Sequence, residues 1–313
     1  MTSDQDGAAT GPLRDRTIIV LGATGPVGGA VARRLLAEGA NVIAQGRDLK
    51  RLARLQGFGA STVQGDMRLS VTRSDLMRVG ADAVAVVNLL PPNRDLTRSV
   101  GGLMRDMPGT CRVHLSSSEV YARRKDQYDL TERDMGKEGF IPCPYRAAER
   151  VLERATQGCL TVLRPGRLVG AAELAGPVLR WAVSGPLPLI RDGGVETSVL
   201  RVEELADAIT HLIRAPAAGR ARGAFNLASP RPMAVRDLAE KLCAGSGMTL
   251  RWRRVGRTGL RVGVLVRDLV RALPGGGGRR DEVGRLLGWS MTLDTSAFRR
   301  ETGWVSKVPD RGA

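Results

Sequence analysis

Thr17-Ile-Ile-Val-Leu21, then Gly22-Ala-Thr-Gly25-Pro-Val-Gly28, then Gly-Ala-Val-Ala-Arg-Arg-Leu-Leu-Ala-Glu-Gly-Ala40 is the stretch that decides the fold. The first five residues form a β-branched apolar run of the kind that makes a buried strand. Val31, Leu35 and Leu36 recur at helical spacing, and Gly39 stops that helix. Asn41–Ala44 (NVIA) reads as a second strand. Strand, glycine-rich turn, helix and strand make a βαβ unit. Glycines let the backbone turn sharply and approach a pyrophosphate, which then rests on the helix N-terminus. Because the glycines follow a strand and open a helix, the spacing predicts a dinucleotide-binding turn. Its candidate contacts are Gly22, Thr24, Gly25, Pro26, Val27 and Gly28.

The rest of the chain is compatible with such a domain and excludes several alternatives. At 313 residues, with 42% apolar and 26% charged residues, it has ample material for a core. No run approaches the roughly 18 apolar residues of a membrane span. The polar start MTSDQDGAATGPLRDR is no secretory signal. Cys111, Cys143, Cys159 and Cys243 are scattered without a C-x-x-C pair, which argues against a disulfide scaffold or thiolate metal site and suits a reducing cytoplasm. His114 and His211 have no partner at ligand spacing and read as structural, so no metal is expected. The net charge of +16 invites a nucleic-acid reading, but 43 of the 48 basic residues are arginines spread along an aromatic-poor chain. That pattern reads as a solvated basic surface that attracts small anions rather than as a nucleic-acid or membrane partner site.

Further signals follow in order. Gly65-Asp66 closes a third strand (STVQGDM), and Asp82–Leu90 (DAVAVVNLL) runs into Pro91-Pro92. Arg112–Tyr121 reads RVHLSSSEVY, and Pro144-Tyr145 opens a helix. Leu163–Gly170 reads LRPGRLVG, Val199–Ala208 VLRVEELADA, Phe225–Leu227 FNL, and 301–305 ETGWV. With the G-x-x-G-x-x-G turn, this series resembles the extended and atypical short-chain dehydrogenase/reductases, relatives of the NAD-dependent epimerases and dehydratases. The resemblance spans nearly the whole chain. It implies an α/β Rossmann fold, a doubly wound parallel sheet with a smaller C-terminal substrate-binding domain. The expected division is a flexible N-terminus over 1–15, an NADP-binding domain over 16–165, and a mainly substrate-binding part over 166–313 interleaved with late Rossmann elements at about 195–228. It also implies cofactor contacts at Asp66 and Met67 (adenine), at Leu89, Leu90 and Pro91, and at Pro165 and Arg167 beside the nicotinamide. A homodimer through the helices near 93–107 and 145–156 is the assembly it suggests.

Cofactor choice turns on the end of the second strand, Gln45-Gly46-Arg47-Asp48. NAD-specific proteins place an acid there for the ribose 2′-hydroxyl. Arg47 stands where NADP-using relatives carry Arg, a good bidentate partner for a 2′-phosphate, with Lys50 and Arg51 close by. This favours NADPH/NADP+, while Asp48 keeps NAD open. A protein that uses NADPH takes up a reduced cofactor and delivers hydride once, which points to a net reductase.

The catalytic pattern is broken. Ser117, with Ser116 and Ser118 beside it, falls on the position of the family's catalytic Ser, and Tyr145 on its acid/base Tyr. Four residues on, where the family has Lys, stands Glu149. A cation there lowers the phenol pKa; an anion about 6 Å away would raise it. Tyr145 is therefore either a weakened acid or a group packed on the nicotinamide. Glu149 is either beside the phenol or on a solvated helix face paired with Arg146. Three functions fit. One is an NADPH-dependent ketoreductase acting on a small-molecule ketone of a specialised metabolite, such as an aromatic polyketide of angucyclinone type, whose own hydroxyl supplies a proton. The second is a nucleotide-sugar 4-ketoreductase, epimerase or dehydratase. The third is a non-catalytic NADP-binding redox sensor.

Overall fold

The computed structural model of the chain describes residues 13–121, 125–135, 143–170, 186–189, 194–215, 221–243, 249–256, 259 and 289–306. The strands are β1 (Thr17–Leu21), β2 (Asn41–Gly46), β3 (Ser61–Gln64), β4 (Ala85–Asn88), β5 (Cys111–Leu115), β6 (Gln127–Leu130), β7 (Thr161–Pro165), β8 (Arg167–Val169), β9 (Leu187–Leu189), β10 (Glu196–Thr197), β11 (Val199–Arg201), β12 (Gly223–Leu227), β13 (Met233–Ala234), β14 (Trp252–Arg254) and β15 (Met291–Leu293). The helices are α1 (Pro26–Ala37), α2 (Leu49–Gly57), α3 (Ser70–Val79), α4 (Arg94–Asp106), α5 (Pro144–Ala155), α6 (Val202–Arg214), α7 (Val235–Cys243) and α8 (Ser296–Thr302).

Seven strands pair in parallel in the order β12-β7-β5-β4-β1-β2-β3. The alternation of the TIIVL run explains why helices cover both faces. Ile18 and Val20 pack into one core with Val31 and Leu35 of α1, Leu52 of α2 and Leu205 and Ile209 of α6. Ile19 and Leu21 pack into the other, with Leu76 of α3, Leu103 of α4 and Leu152 of α5. A strand buried on both faces needs an unbroken apolar run, and β1 has one. The fold is the expected doubly wound α/β Rossmann architecture. The strand order reverses between β1 and β4, the switch point outside whose carboxyl ends such sheets bind ligands.

A second, four-stranded sheet has the order β13-β10-β15-β6, and β8–β11 and β9–β14 form parallel pairs. Its β6 lies before residue 165, so at this strand the sheets and the sequence boundary divide the chain differently. The flexible N-terminus expected over 1–15 does not extend to its last residues: Leu13 is fully buried in the core, and the Asp15 amide donates to the Gly39 carbonyl at 3.2 Å. Residues 1–12 of that expectation lie outside the described residues. ETGWV closes α8: Gly303 adopts φ 73°, and Trp304 packs edge-on against Phe298 while its Nε1 donates to Asp207 at 3.1 Å. Among the described residues, no helix is long and apolar enough to cross a membrane.

Candidate cofactor and catalytic site

The turn between β1 and α1 is built for close approach. Gly22 takes φ 77°, and a side chain there would meet the Leu90 side chain at 3.1 Å and the Leu89 backbone at 3.3 Å. The turn therefore lies directly on the exit of β4. A Cβ on Gly28 would stand 2.2 Å from the Gly22 carbonyl oxygen, so only glycine lets the helix seat against the turn. Pro26 opens α1 at the position where its missing N–H costs nothing. The first turn of α1 carries neither a capping side chain nor an acid, which leaves its positive end for an anion. The Val27 side chain lies in the core, so its contribution to the turn is its backbone.

One residue that braces this turn from β2 escaped the sequence reading. Gln45 is buried, accepts from the Gly22 amide at 3.2 Å and donates to the Gly65 carbonyl at 2.7 Å, tying the ends of β1, β2 and β3 together. A buried polar residue on an otherwise apolar strand was the available signal.

At the exits of β2 and β3 the charges collect. Arg47 is 77% exposed, with Nη1 3.9 Å from Asp66. Asp66 is held by Arg68, whose Nη2 donates to it at 2.6 Å, and that hydrogen bond lowers its pKa to about 2. Asp48 caps α2, accepting from the Arg51 amide at 3.1 Å, so its carboxylate is engaged at the helix end. Arg51 Nη1 donates to the Thr24 carbonyl at 2.9 Å, which holds a guanidinium beside the glycine turn. On the outer flank of that turn a cleft of about 650 Å³ also receives Arg33 and Arg54. The Met67 side chain is fully buried, and its carbonyl accepts from Ser99. Leu89 and Leu90 are half-buried, Pro91 is exposed, and Pro165 is buried at the end of β7.

The catalytic candidates lie on the far side of the switch point. Of Ser116, Ser117 and Ser118 at the end of β5, Ser116 and Ser118 are buried and Ser117 is half-exposed. Ser117 is therefore the least buried of the three. Its Oγ accepts from the Glu119 amide at 3.2 Å. Arg167 is half-buried, its Nη1 4.0 Å from Glu119. Tyr145 stands in the first turn of α5, half-buried against Val120, Tyr121, Leu130 and Leu293.

Of the two expectations for Glu149, the solvated helix face does not hold: the residue is 6% exposed. The Arg146 guanidinium donates to the carbonyls of Val120, at 2.7 Å, and Met135. Glu149 forms a bidentate pair with Arg164 of β7, itself 4% exposed: Nε donates to Oε1 at 3.0 Å and Nη2 to Oε2 at 2.7 Å. Burial works against the Arg164 charge, and the carboxylate more than restores it. The anion expected to push the phenol upward is thus neutralised in the interior. Arg112, Arg146 and Arg164 are all buried, so part of the arginine excess braces the fold instead of solvating its surface. Tyr121, donating to Asn226 Oδ1 at 2.8 Å, is pushed up to about 12 by burial and so stays protonated near neutrality.

His114 is structural. It is 1% exposed, its Nδ1 lies 3.0 Å from Asn88 Nδ2, and burial lowers its pKa to about 4. The unfolded chain, with an ordinary histidine, binds more protons between about pH 4 and 6.5. Its neutral form therefore supports the fold fully above that window, and stability falls as pH drops through it, by about 1.4 kcal/mol per unit at most. Urea unfolding at pH 7 and pH 5 should show this drop in the wild type and a smaller one in His114→Gln. An equal drop in both would place the titration elsewhere. His211 Nε2 lies 2.7 Å from the Thr302 carbonyl. Among the described residues no cluster of His, Cys, Asp or Glu could hold a metal.

The sheet thus gathers Gly22–Gly28, Leu89, Leu90, Ser117 and Pro165 at the carboxyl ends of adjacent strands, with Arg47 and Asp66 at the ends of the next two, β2 and β3. An uncapped helix start, a turn that admits no Cβ and guanidinium groups beside it suit a dinucleotide. Comparison with solved structures finds the same fold. A UDP-glucose 4-epimerase from Stenotrophomonas maltophila with bound NAD is 18% identical, with a TM-score of 0.67 over 94% of each chain. A dTDP-glucose 4,6-dehydratase from Bacillus anthracis in complex with NAD is 16% identical, with a TM-score of 0.67 over 94% of this chain and 92% of that one. A dTDP-glucose 4,6-dehydratase from Streptomyces venezuelae with NAD is 20% identical, with a TM-score of 0.64 over 94% of this chain and 93% of that one. Residues 22–182, just over half of the chain, match the NAD(P)H-binding family, and the chain belongs to it.

Proposed function

We propose that the protein is an NADPH-dependent ketoreductase acting on a ketone of a specialised metabolite, an aromatic polyketide of angucyclinone type, and similar in role to the angucyclinone ketoreductase of simocyclinone biosynthesis. The observation that carries the cofactor half is the guanidinium arrangement at the exit of β2. Arg47 is exposed there, Arg51 is fixed on the Thr24 carbonyl, and of the nearby acids Asp48 is engaged as a helix cap and Asp66 is held by Arg68. When bound, the reduced nicotinamide supplies hydride to a carbonyl carbon. Around that carbonyl, Ser117 Oγ is available to donate a hydrogen bond to its oxygen, and the Tyr145 phenol flanks the same end of the sheet. Glu149 offers no cation to lower the phenol pKa, since its charge is paired with Arg164. Proton delivery therefore leans on the substrate, for which a hydroxyl beside the ketone is the fitting chemistry.

Arg47→Glu should weaken NADPH binding by at least ~10-fold, because a charge-assisted contact contributes roughly 1.5–3 kcal/mol and a like charge adds repulsion. NADH binding should change little. Fluorescence titration of both cofactors decides it, and equal effects would remove Arg47 from the 2′-phosphate. A second reading, a nucleotide-sugar epimerase or dehydratase, is supported by the epimerase and dehydratase structures that share this fold. Loss of reduced-nicotinamide absorbance with quinone-type ketones, but not with keto-sugar nucleotides, separates the two. Binding without turnover of either would favour a sensor.

A further inference from the structure

We infer that Glu149 is a positioning residue. Clamped by Arg164, it suspends the Ser116–Tyr121 turn from both ends and so presents Ser117 to the reacting carbonyl; the inference rests on the role given to Ser117 above. The Ser116 hydroxyl, at the start of the turn, donates to Glu149 Oε1 at 2.5 Å. Tyr121, at its end, accepts from Arg164 Nη1 at 2.9 Å and lies under the same guanidinium, 5.4 Å from its ring centre. Val120, one residue earlier, is held through its carbonyl by Arg146 of the same helix. Between these fixed points Ser117 is half-exposed.

A pair serving only to neutralise two buried charges would need no bonds to the turn. Here the spare hydrogen-bonding capacity of both partners goes to its first and last residues. The suspension also reaches the second sheet. Arg164 Nη1 donates to the Glu132 carbonyl at 3.2 Å, and Tyr121 donates to Asn226, whose Nδ2 donates to the carbonyls of Leu130 at 2.7 Å and Asp294 at 3.1 Å. A fully satisfied buried network of this kind rigidifies what it touches. The serine turn is thereby registered against β6 and the segment after β15, the smaller sheet beside the Rossmann domain.

Ser116→Ala tests this, because it cuts one suspension point and leaves the ion pair whole. Hydrogen–deuterium exchange is measured without cofactor on the full chain. Amides of residues 117–121 should exchange ~10-fold faster, with β1 and β4 unchanged, and Ser116→Thr should restore the protection. The emission of bound NADPH, which reports the nicotinamide end, should fall toward that of free NADPH in Ser116→Ala. Affinity for 2′,5′-ADP, which lacks the nicotinamide, should stay as in the wild type. Unchanged exchange over 117–121, or faster exchange spread evenly over the whole sheet, would overturn the positioning role. A wild type that shows no binding of NADPH would count against the cofactor reading alone, since the exchange measurement stands without it.

Discussion

Replacing Glu149 by Lys, which restores the tyrosine–lysine spacing of the resembled family, is expected to destabilise the protein rather than activate it. Glu149 and Arg164 are both almost fully buried, and their bidentate contact is what makes either charge tolerable inside. Lysine at 149 would set a second cation against the Arg164 guanidinium and strip Ser116 of its acceptor. Breaking a buried pair in this way costs about 3–5 kcal/mol, a large share of the roughly 5–15 kcal/mol that holds a domain together. Urea unfolding should show the midpoint falling accordingly. The charge-reversed double variant Glu149→Lys, Arg164→Glu should recover part of the loss, because the two sites couple. A Glu149→Lys protein of wild-type stability that reduces ketones faster would show that position 149 faces the cofactor and that the buried pair is dispensable.

The same pair shows where sequence reading reached and where it stopped. β1 and the turn after it were legible because their chemistry is local. A β-branched run, three glycines at fixed spacing and a proline at the helix start each act on the residues beside them. The parallel sheet followed from that unit repeated. Glu149 was not legible from its near neighbours. Its partner is on another strand, and the Arg146 that helical spacing offered is taken by the carbonyls of Val120 and Met135. A signal did exist: Tyr145, Ala148, Glu149 and Leu152 share one helical face, the face that packs inward with Ala148, Glu149 and Leu152 buried. A carboxylate in an apolar stripe must meet a cation or a donor, and the chain's arginine excess supplies one. Gln45 is the mirror case, a polar residue inside β2 whose partners, Gly22 and Gly65, only the folded sheet brings together. Ser117 was ambiguous among three serines because register within a turn depends on which side chains the core takes in.

Tyr145→Phe should reduce ketone reduction on the order of 10-fold or less, against the ~10²–10⁴-fold loss expected when a true general acid is removed. The reasoning begins with the helix. One turn beyond Tyr145 stands a carboxylate paired with Arg164, so the lysine that in the resembled family lowers the phenol pKa is absent from its place. Without that cation the phenol lacks the activation that the resembled pair supplies. Hydride arrival leaves an alkoxide that must still gain a proton. Ser117 Oγ can donate a hydrogen bond to that oxygen, but a hydroxyl of much higher pKa stabilises the charge without giving up the proton. A substrate phenol ortho to the ketone is already oriented, and its hydrogen bond strengthens as negative charge grows on the neighbouring oxygen. The paired expectation is therefore that methylating that hydroxyl costs ~10²–10⁴-fold in turnover, the share Tyr145 does not supply. Steady-state rates for both proteins on both substrates complete the cycle. Retained activity in Tyr145→Phe together with collapse on the methyl ether supports substrate-assisted protonation. Collapse of Tyr145→Phe with NADPH affinity intact would return the proton to the phenol, and the Glu149–Arg164 pair would then be only a brace beneath it.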